Sequence, residues 1–456
     1  MQLDALDLEL PLEQLGLDLH RVPLARRHRD RSGHETGQPG EAHHARRRVG
    51  PGHAEDQPEV RHEPVADAED GGAGAATLHV AVVVGVRGGD VALVGHGARL
   101  PPARSLTSML SRYDATPDDV ASALAGEPAY RARQVWDGLY RRALEPAEMT
   151  DLPLVLRDRV ATALPAALTV ARESVDDGGE TVKWLWTLHD GALVESVLMH
   201  YEGRSTVCIS SQAGCAMGCT FCATGQAGFE RHLTVGEIVE QVVRATARAR
   251  ADGRRLSNVV FMGMGEPMAN YDRVLGAARR MHDDLGLSAR SLTVSTVGVV
   301  PGIRRLATEG LPVNLAVSLH AADDGLRETL VPLNRQYPLA EVVDACRAWT
   351  DATGRRLSFE WALIDGVNDR PGDAARLADL ARPLRAHVNL IPLNPTPGYP
   401  TRGTPPAGVR AFRDRLRALG VNATVRANRG TGIDAACGQL RATEVAVSAP
   451  GASNVR

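Results

Sequence analysis

The chain has 456 residues, 43% of them hydrophobic and 23% charged, with a formal net charge of −3. That length allows two or three domains, and the charge excludes a globally basic nucleic-acid coat while leaving room for a local basic patch. No apolar run approaches the roughly 18 residues that span a bilayer, the acidic start Met1-Gln-Leu-Asp lacks the basic flank of a secretory signal, and six cysteines are too few for a disulfide framework.

The expectation is a cytoplasmic protein with no membrane partner. Residues 1–104 are rich in Ala, Gly, Arg and His without a sustained period, as in His43-His-Ala-Arg-Arg-Arg48. They are expected to be disordered, or translated from a misplaced start. A metal- or RNA-binding tail is the weaker reading, because scattered histidines without fixed spacing rarely make a site. The run Val80–Val84 reads as an isolated strand. Residues 105–170 turn helical: Tyr130–Tyr140 places Val135, Trp136 and Leu139 near one face and leaves Arg131 and Arg133 on others, with Arg141 and Arg142 just beyond. This module is expected to bind RNA, with those arginines as candidate phosphate contacts, although a charged helix face is more often merely solvated.

Residues 171–204 contain a hairpin, in which Thr181–Leu188 and Ala192–Met199 flank His189-Asp190-Gly191. From 205 to 441, apolar runs at 206–210, 258–262, 292–295, 313–318, 357–363 and 388–393 alternate with helical stretches. The first long helix opens on a capping box, Thr234-Val-Gly-Glu237, and is expected to run to about Arg248. Six such units imply parallel strands with crossover helices: an α/β fold, a partial (βα)6 barrel with an N-terminal helical accessory domain and a β-hairpin extension. Functional residues of such folds gather at the carboxyl ends of strands. Residues 442–456 read as a flexible tail.

Just after the first barrel strand lies Cys215-Ala-Met-Gly-Cys219-Thr-Phe-Cys222. Three thiolates leave one iron of a four-iron cluster without a protein ligand, so that a small molecule with an amine and a carboxylate can chelate it. Zinc is the competing reading, but structural zinc sites usually take four protein ligands and no second pair is near. The spacing, with Phe221 before the last cysteine, resembles the radical S-adenosylmethionine (SAM) superfamily. Gly263-Met-Gly265-Glu266-Pro267 resembles the glycine-rich segment that approaches the methionine amino group in that superfamily. Ser295, the run Ser318-Leu319-His320 and Asn394, each of which alone reads as a turn or cap residue, together resemble the cofactor-binding positions of one subfamily.

Two further cysteines narrow the resemblance. Cys208 precedes the loop, and Cys437 sits in Ile433-Asp-Ala-Ala-Cys-Gly-Gln-Leu440. Cys346, inside a helix, reads as a buried structural cysteine. With these segments the chain, from about Gly126 to Leu440, resembles the RlmN family of dual-specificity RNA adenine C2-methyltransferases. The resemblance implies one 4Fe–4S cluster on Cys215, Cys219 and Cys222, and two molecules of SAM per turnover. In that scheme Cys437 takes a methyl group from the first. A 5′-deoxyadenosyl radical cleaved from the second removes hydrogen from the S-methyl group, and the resulting carbon radical adds to adenine C2. Cys208 then attacks the Cys437 sulfur, forming a disulfide and releasing the base, and Glu195 matches the proposed base for the C2 proton.

The implied substrates are an adenosine of the peptidyl-transferase region of 23S ribosomal RNA and the adenosine next to the anticodon of some transfer RNAs. An electron donor such as a flavodoxin system is implied as a partner, and the enzyme is expected to be a monomer. Two other readings stay open at the level of sequence: a Cfr-like adenine C8-methyltransferase, which uses the same paired cysteines, and a non-catalytic metal-containing RNA-binding protein.

Overall fold

The computed structural model describes residues 110–435 except 397 and 400, together with residue 439. Residues 1–104 with the strand expected at Val80–Val84, the tail 442–456, and Cys437 lie outside the described residues.

Three helices come first: α1 (Pro117–Ala123), α2 (Tyr130–Tyr140) and α3 (Leu154–Ala163). Val135 and Leu139, one turn apart on α2, are fully buried, as the apolar spacing requires. This helical module packs on residues 280–284 through polar contacts: Trp136 Nε1 donates to Asp284 Oδ1 at 3.1 Å and Arg280 donates to the Tyr140 hydroxyl at 2.8 Å. Three of the arginines expected to meet phosphate are engaged within the chain. Arg131 and Arg142 hold Asp151, and Arg141 donates to the Asp283 carbonyl.

An antiparallel meander of β1 (Thr169–Asp176), β2 (Thr181–Thr187) and β3 (Leu193–Tyr201) leads into β4 (Arg204–Cys208). The expected Asp-Gly turn joins β2 to β3: Gly191, at φ +86°, donates to the Leu188 carbonyl at 3.0 Å. A two-stranded ribbon, β5 (Gln212–Gly214) with β6 (Phe229–His232), encloses the short α4 (Ala223–Ala227). Helices and strands then alternate: α5 (Val235–Ala251), β7 (Leu256–Phe261), α6 (Tyr271–Asp283), β8 (Leu292–Thr296), α7 (Val300–Leu306), β9 (Asn314–Ser318), α8 (Asp324–Leu330), α9 (Leu339–Thr353), β10 (Ser358–Leu363), α10 (Pro371–Ala381), β11 (His387–Pro392), α11 (Pro406–Ala418) and β12 (Asn422–Val425).

The ten strands lie in the order β1-β2-β3-β4-β7-β8-β9-β10-β11-β12, and every pairing from β4 onward is parallel. The expected six-strand partial barrel is present, with a seventh parallel strand, β12, at one edge and β1 at the other, neither of which the apolar pattern marks. The capping box at α5 forms as read, with Thr234 Oγ1 accepting from Glu237 N and Glu237 Oε2 accepting from Thr234 N. The helix runs slightly further, to Ala251.

Alternation along the strands sends Val294, Leu315, Val317, Phe359, Trp361 and Leu390, all nearly or fully buried, into the core on one face. Burying each such side chain contributes about 1.5–3 kcal/mol. Trp361 of β10 stacks on Phe412 of α11 with ring centroids 6.2 Å apart. No helix among the described residues is long and apolar enough to cross a membrane.

Candidate active site

Sheet register determines what shares the other face. Residues paired across neighbouring strands point to the same side, so the pairs Lys183↔Val197, Val197↔Cys208, Cys208↔Val260 and Val260↔Thr293 form one row. Thr293 continues through Asn314 of β9, two residues before Ala316, and Ala316 pairs with Ser358 of β10. On this face lie Glu195, two residues from Val197, and the strand-end residues Ser295, Ser318, Glu360 and Ala362. Glu195 of β3 and Cys208 of β4, the first parallel strand, therefore share the face of the parallel strands that ends in a cavity.

That cavity opens at the carboxyl ends of the parallel strands. Cys215, Cys219 and Cys222 line it with Gly265, Glu266, Ser295, Ser318, His320 and Asn394. Cys208 and Glu195 are not part of its lining, and neither is Leu319. The Leu319 side chain is fully buried, its N–H donates to the Glu360 carbonyl, and its carbonyl accepts from Ala321 N and Arg327 Nε. Just past the end of β9, the alternation turns its side chain to the core.

The cysteine loop is built on a narrow neck. Gly214 pairs with Phe229, and Cys215 N donates to the Gly228 carbonyl at 2.8 Å. Cys222 N donates to the Cys219 carbonyl at 3.2 Å, and Thr220 N reaches the Leu330 carbonyl at the end of α8. Burial pushes the Cys215 thiol up to about 12 and the Cys219 thiol well above its ordinary range. Left to themselves the thiols stay protonated, and a metal centre is what would make them thiolates.

The glycine-rich segment is held against the loop from β4 to β5. A Cβ on Gly263 would lie 2.7 Å from the Ile209 carbonyl oxygen, and one on Gly265, at φ +101°, would lie 2.5 Å from Gln212 Cβ. Small residues are thus required for backbone contact here. Ser210 ties the parts together: its hydroxyl donates to the Glu195 carbonyl at 2.6 Å and accepts from Met264 N at 2.9 Å. Glu266 is buried, and its two carboxylate oxygens accept from Met268 N and Val297 N, each at 2.9 Å, which bridges the ends of β7 and β8. Burial raises its pKa to about 7 despite these bonds.

His320 sits at φ +59°, against the Phe221 ring at 4.8 Å. Its Nδ1 accepts from Ala362 N at 3.0 Å, which places the ring proton on Nε2. Burial, reinforced by the Arg327 charge, lowers its pKa to about 3, so the ring is neutral.

Glu195 is 2% exposed, and its Oε1 lies 3.3 Å from Lys183 Nζ, itself almost buried. Lys183, Glu360, Arg426 and Thr224 are site-region residues that no motif singles out. For Glu360 the usable signal is the alternation Ser358-Phe-Glu-Trp-Ala-Leu363, whose polar and small members share the cavity face. Glu360 accepts from Ser358 at 2.9 Å and Asn389 at 2.7 Å. Gln439, two residues after Cys437, donates to the Pro395 carbonyl at 2.9 Å, beside cavity residue Asn394.

Residues 209–378 match the Radical SAM superfamily. A relative in Parafrankia sp., named "Probable dual-specificity RNA methyltransferase RlmN", is 56% identical over 341 residues, covering 71% of this chain and 88% of its own. Another of the same name, in Mycolicibacterium paratuberculosis, is 55% identical over 72% of this chain and 94% of its own. Among solved structures, a radical SAM methyltransferase from Sphaerobacter thermophilus matches with a TM-score of 0.70 at 51% identity, covering 73% of this chain and 99% of its own. The cysteine loop at the strand ends, the glycine segment beside it and these relatives agree: the chain belongs to the RlmN family of radical SAM RNA methyltransferases.

Proposed function

We propose that this chain methylates carbon 2 of an adenine in ribosomal and transfer RNA, with Cys437 as methyl carrier, Cys208 as resolving thiol and Glu195 as base. The observation that carries the reading is the convergence at one end of the sheet. Three buried or half-buried thiols share a cavity with Ser295, Ser318, His320 and Asn394, while Cys208 and Glu195 occupy the same sheet face.

The donor set fits a 4Fe–4S cluster. Cys215, Cys219 and Cys222 line one shared cavity, and three thiolates with no fourth protein ligand beside them among the described residues suit a cluster with one open iron better than a structural zinc, which usually takes four protein ligands. Held by Cys215, Cys219 and Cys222, such a cluster would bind SAM and supply the electron for its reductive cleavage.

The protein's own residues do the rest. His320 Nε2 and the Ser295, Ser318 and Asn394 side chains offer hydrogen bonds to the ribose, adenine and carboxylate of SAM, with Gly265 giving the backbone room to approach. Cys437 is methylated by displacement, a reaction open to a thiolate and closed to the electron-poor C2 carbon. After the methylene bridge to RNA has formed, the adduct gives one electron back to the low-potential electron system and Glu195 takes the C2 proton. Cys208, as thiolate, then attacks the Cys437 sulfur, the sulfur–carbon bond breaks with its electron pair on the methylene carbon, that carbon takes a proton to become the methyl group, and a disulfide forms. An external reductant restores both thiols, which suits a reducing cytoplasmic compartment. A flavodoxin-type protein is the proposed source of low-potential electrons. The target adenine must be unstacked to enter, as in a loop or a flipped base.

Nucleoside mass spectrometry of RNA after anaerobic turnover tests the reading. 2-Methyladenosine is expected. Accumulation of 8-methyladenosine would instead establish Cfr-like regiochemistry, and no methylated adenosine at all would leave only a binding role.

A further inference from the structure

The antiparallel extension carries an acidic turn that the reaction scheme leaves without a role. Where β1 ends, Asp176 Oδ2 accepts from Gly432 N at 3.0 Å, and the next residue, Asp177, accepts through Oδ2 from Gly430 N at 3.0 Å. Asp177 is itself steadied by the Thr181 hydroxyl at 2.6 Å. One turn of chain away, Lys183 Nζ donates to the Asp434 carbonyl at 3.3 Å while facing Glu195. The Arg429 guanidinium lies 4.4 Å from the centroid of the Tyr201 ring. Contact is close: a Cβ on Gly430, at φ +65°, would meet Thr181 Cγ2 at 2.9 Å. On its other side the same segment is tied to the cavity rim by Asn428, whose side chain donates to Asn394 Oδ1 at 2.8 Å.

We propose that Asp176, Asp177 and Lys183 are positioning residues that clasp the glycine-rich segment Asn428–Ala435, and that this clasp governs how fast Cys437 is methylated. The proposal rests on the carrier role assigned to Cys437 above. It gives the β1–β2 extension a purpose in the reaction. A carrier thiol has to meet a methyl donor, then a hydrogen acceptor, then a base, and a loop left unanchored would spend little of its time in any of those positions. Two backbone amides, of Gly430 and Gly432, bound to successive carboxylates, one carbonyl bound to an ammonium and one cation–π contact fix the segment. Lys183 adds a coupling, since one ammonium faces both the base and the loop.

The test is amide hydrogen exchange on the full-length, anaerobically reconstituted protein, combined with peptide mass spectrometry of Cys437. Asp176→Ala/Asp177→Ala is expected to raise exchange across 428–435 at least ten-fold, leave β8 to β10 unchanged, and slow S-methylation of Cys437 by a similar factor. Asp176→Asn/Asp177→Asn keeps an acceptor oxygen at each position and should recover most of both. Unchanged exchange in the alanine variant would overturn the proposal. So would a rise shared by the whole sheet, or Cys437 methylation at the wild-type rate in a loosened loop. Exchange is read without turnover, so the clasp stands or falls separately from the carrier role, which the Cys437→Ala variant tests.

Discussion

Gly214→Ala is expected to damage the cysteine loop far beyond its cost in backbone strain. Gly214 has φ +74°, and a Cβ there would lie 2.1 Å from the Gly228 carbonyl oxygen, the same oxygen that accepts from Cys215 N. The left-handed backbone costs a non-glycine residue roughly 1–2 kcal/mol. A contact so far inside van der Waals distance also forces the β5–β6 neck apart, adding about 1–3 kcal/mol as overpacking does elsewhere. The total, about 2–5 kcal/mol, is a large share of the ~5–15 kcal/mol that holds a typical domain folded. It falls on the residue next to Cys215, the first of the three cysteines proposed to hold the cluster. Gly253 is the control: at φ +68° nothing lies within 4 Å of an added Cβ, so Gly253→Ala carries only the backbone cost. Urea unfolding, together with iron content after anaerobic reconstitution, reads both effects. The account predicts full iron in Gly253→Ala and less than half in Gly214→Ala. Equal iron loading and equal stability of the two variants would refute the reasoning.

Other consequences are as direct. Asp114 accepts from Gly236 N at 2.6 Å and from Thr234 Oγ1 at 2.9 Å, at the start of α5, so Asp114→Ala should cost about 1–2 kcal/mol in chemical unfolding without changing iron content. His320 has a folded-state pKa of about 3, below its unfolded value, so acid protonates the unfolded chain first and stability falls as pH drops below about 6.5. By pH 5 this group alone should remove about 2 kcal/mol, a share absent from His320→Asn when urea midpoints at pH 7 and pH 5 are compared. Cys346 is buried in α9 and is not among the cavity lining. Cys346→Ala should therefore cost about 1 kcal/mol of stability and leave the yield of methylated RNA unchanged.

The parts legible in the sequence are those with local chemistry. The Thr234–Glu237 capping box, the Asp190-Gly191 turn and the strand–helix alternation each depend on residues a few positions apart, and each forms as read. β1 escapes because Thr169-Val-Ala-Arg-Glu-Ser-Val-Asp176 is largely exposed and lacks an apolar face. β12 escapes because four residues, Asn422–Val425, are too few to show a period. Most of the motif residues line the cavity, while Cys208 and Glu195 stand on the same sheet face outside its lining, and Leu319 turns its side chain to the core between two cavity-facing neighbours. Lys183 is invisible beforehand because its partners, Glu195 and the Asp434 carbonyl, lie 12 and 251 positions away.

The central claim is that two cysteines outside the cluster loop carry the methyl group and then free it. Cys208→Ala, turned over anaerobically with SAM, reductant and RNA and run on a denaturing gel, should trap a covalent protein–RNA adduct, and Cys437→Ala should give neither adduct nor methylated RNA. Methylated RNA from Cys437→Ala would contradict the account.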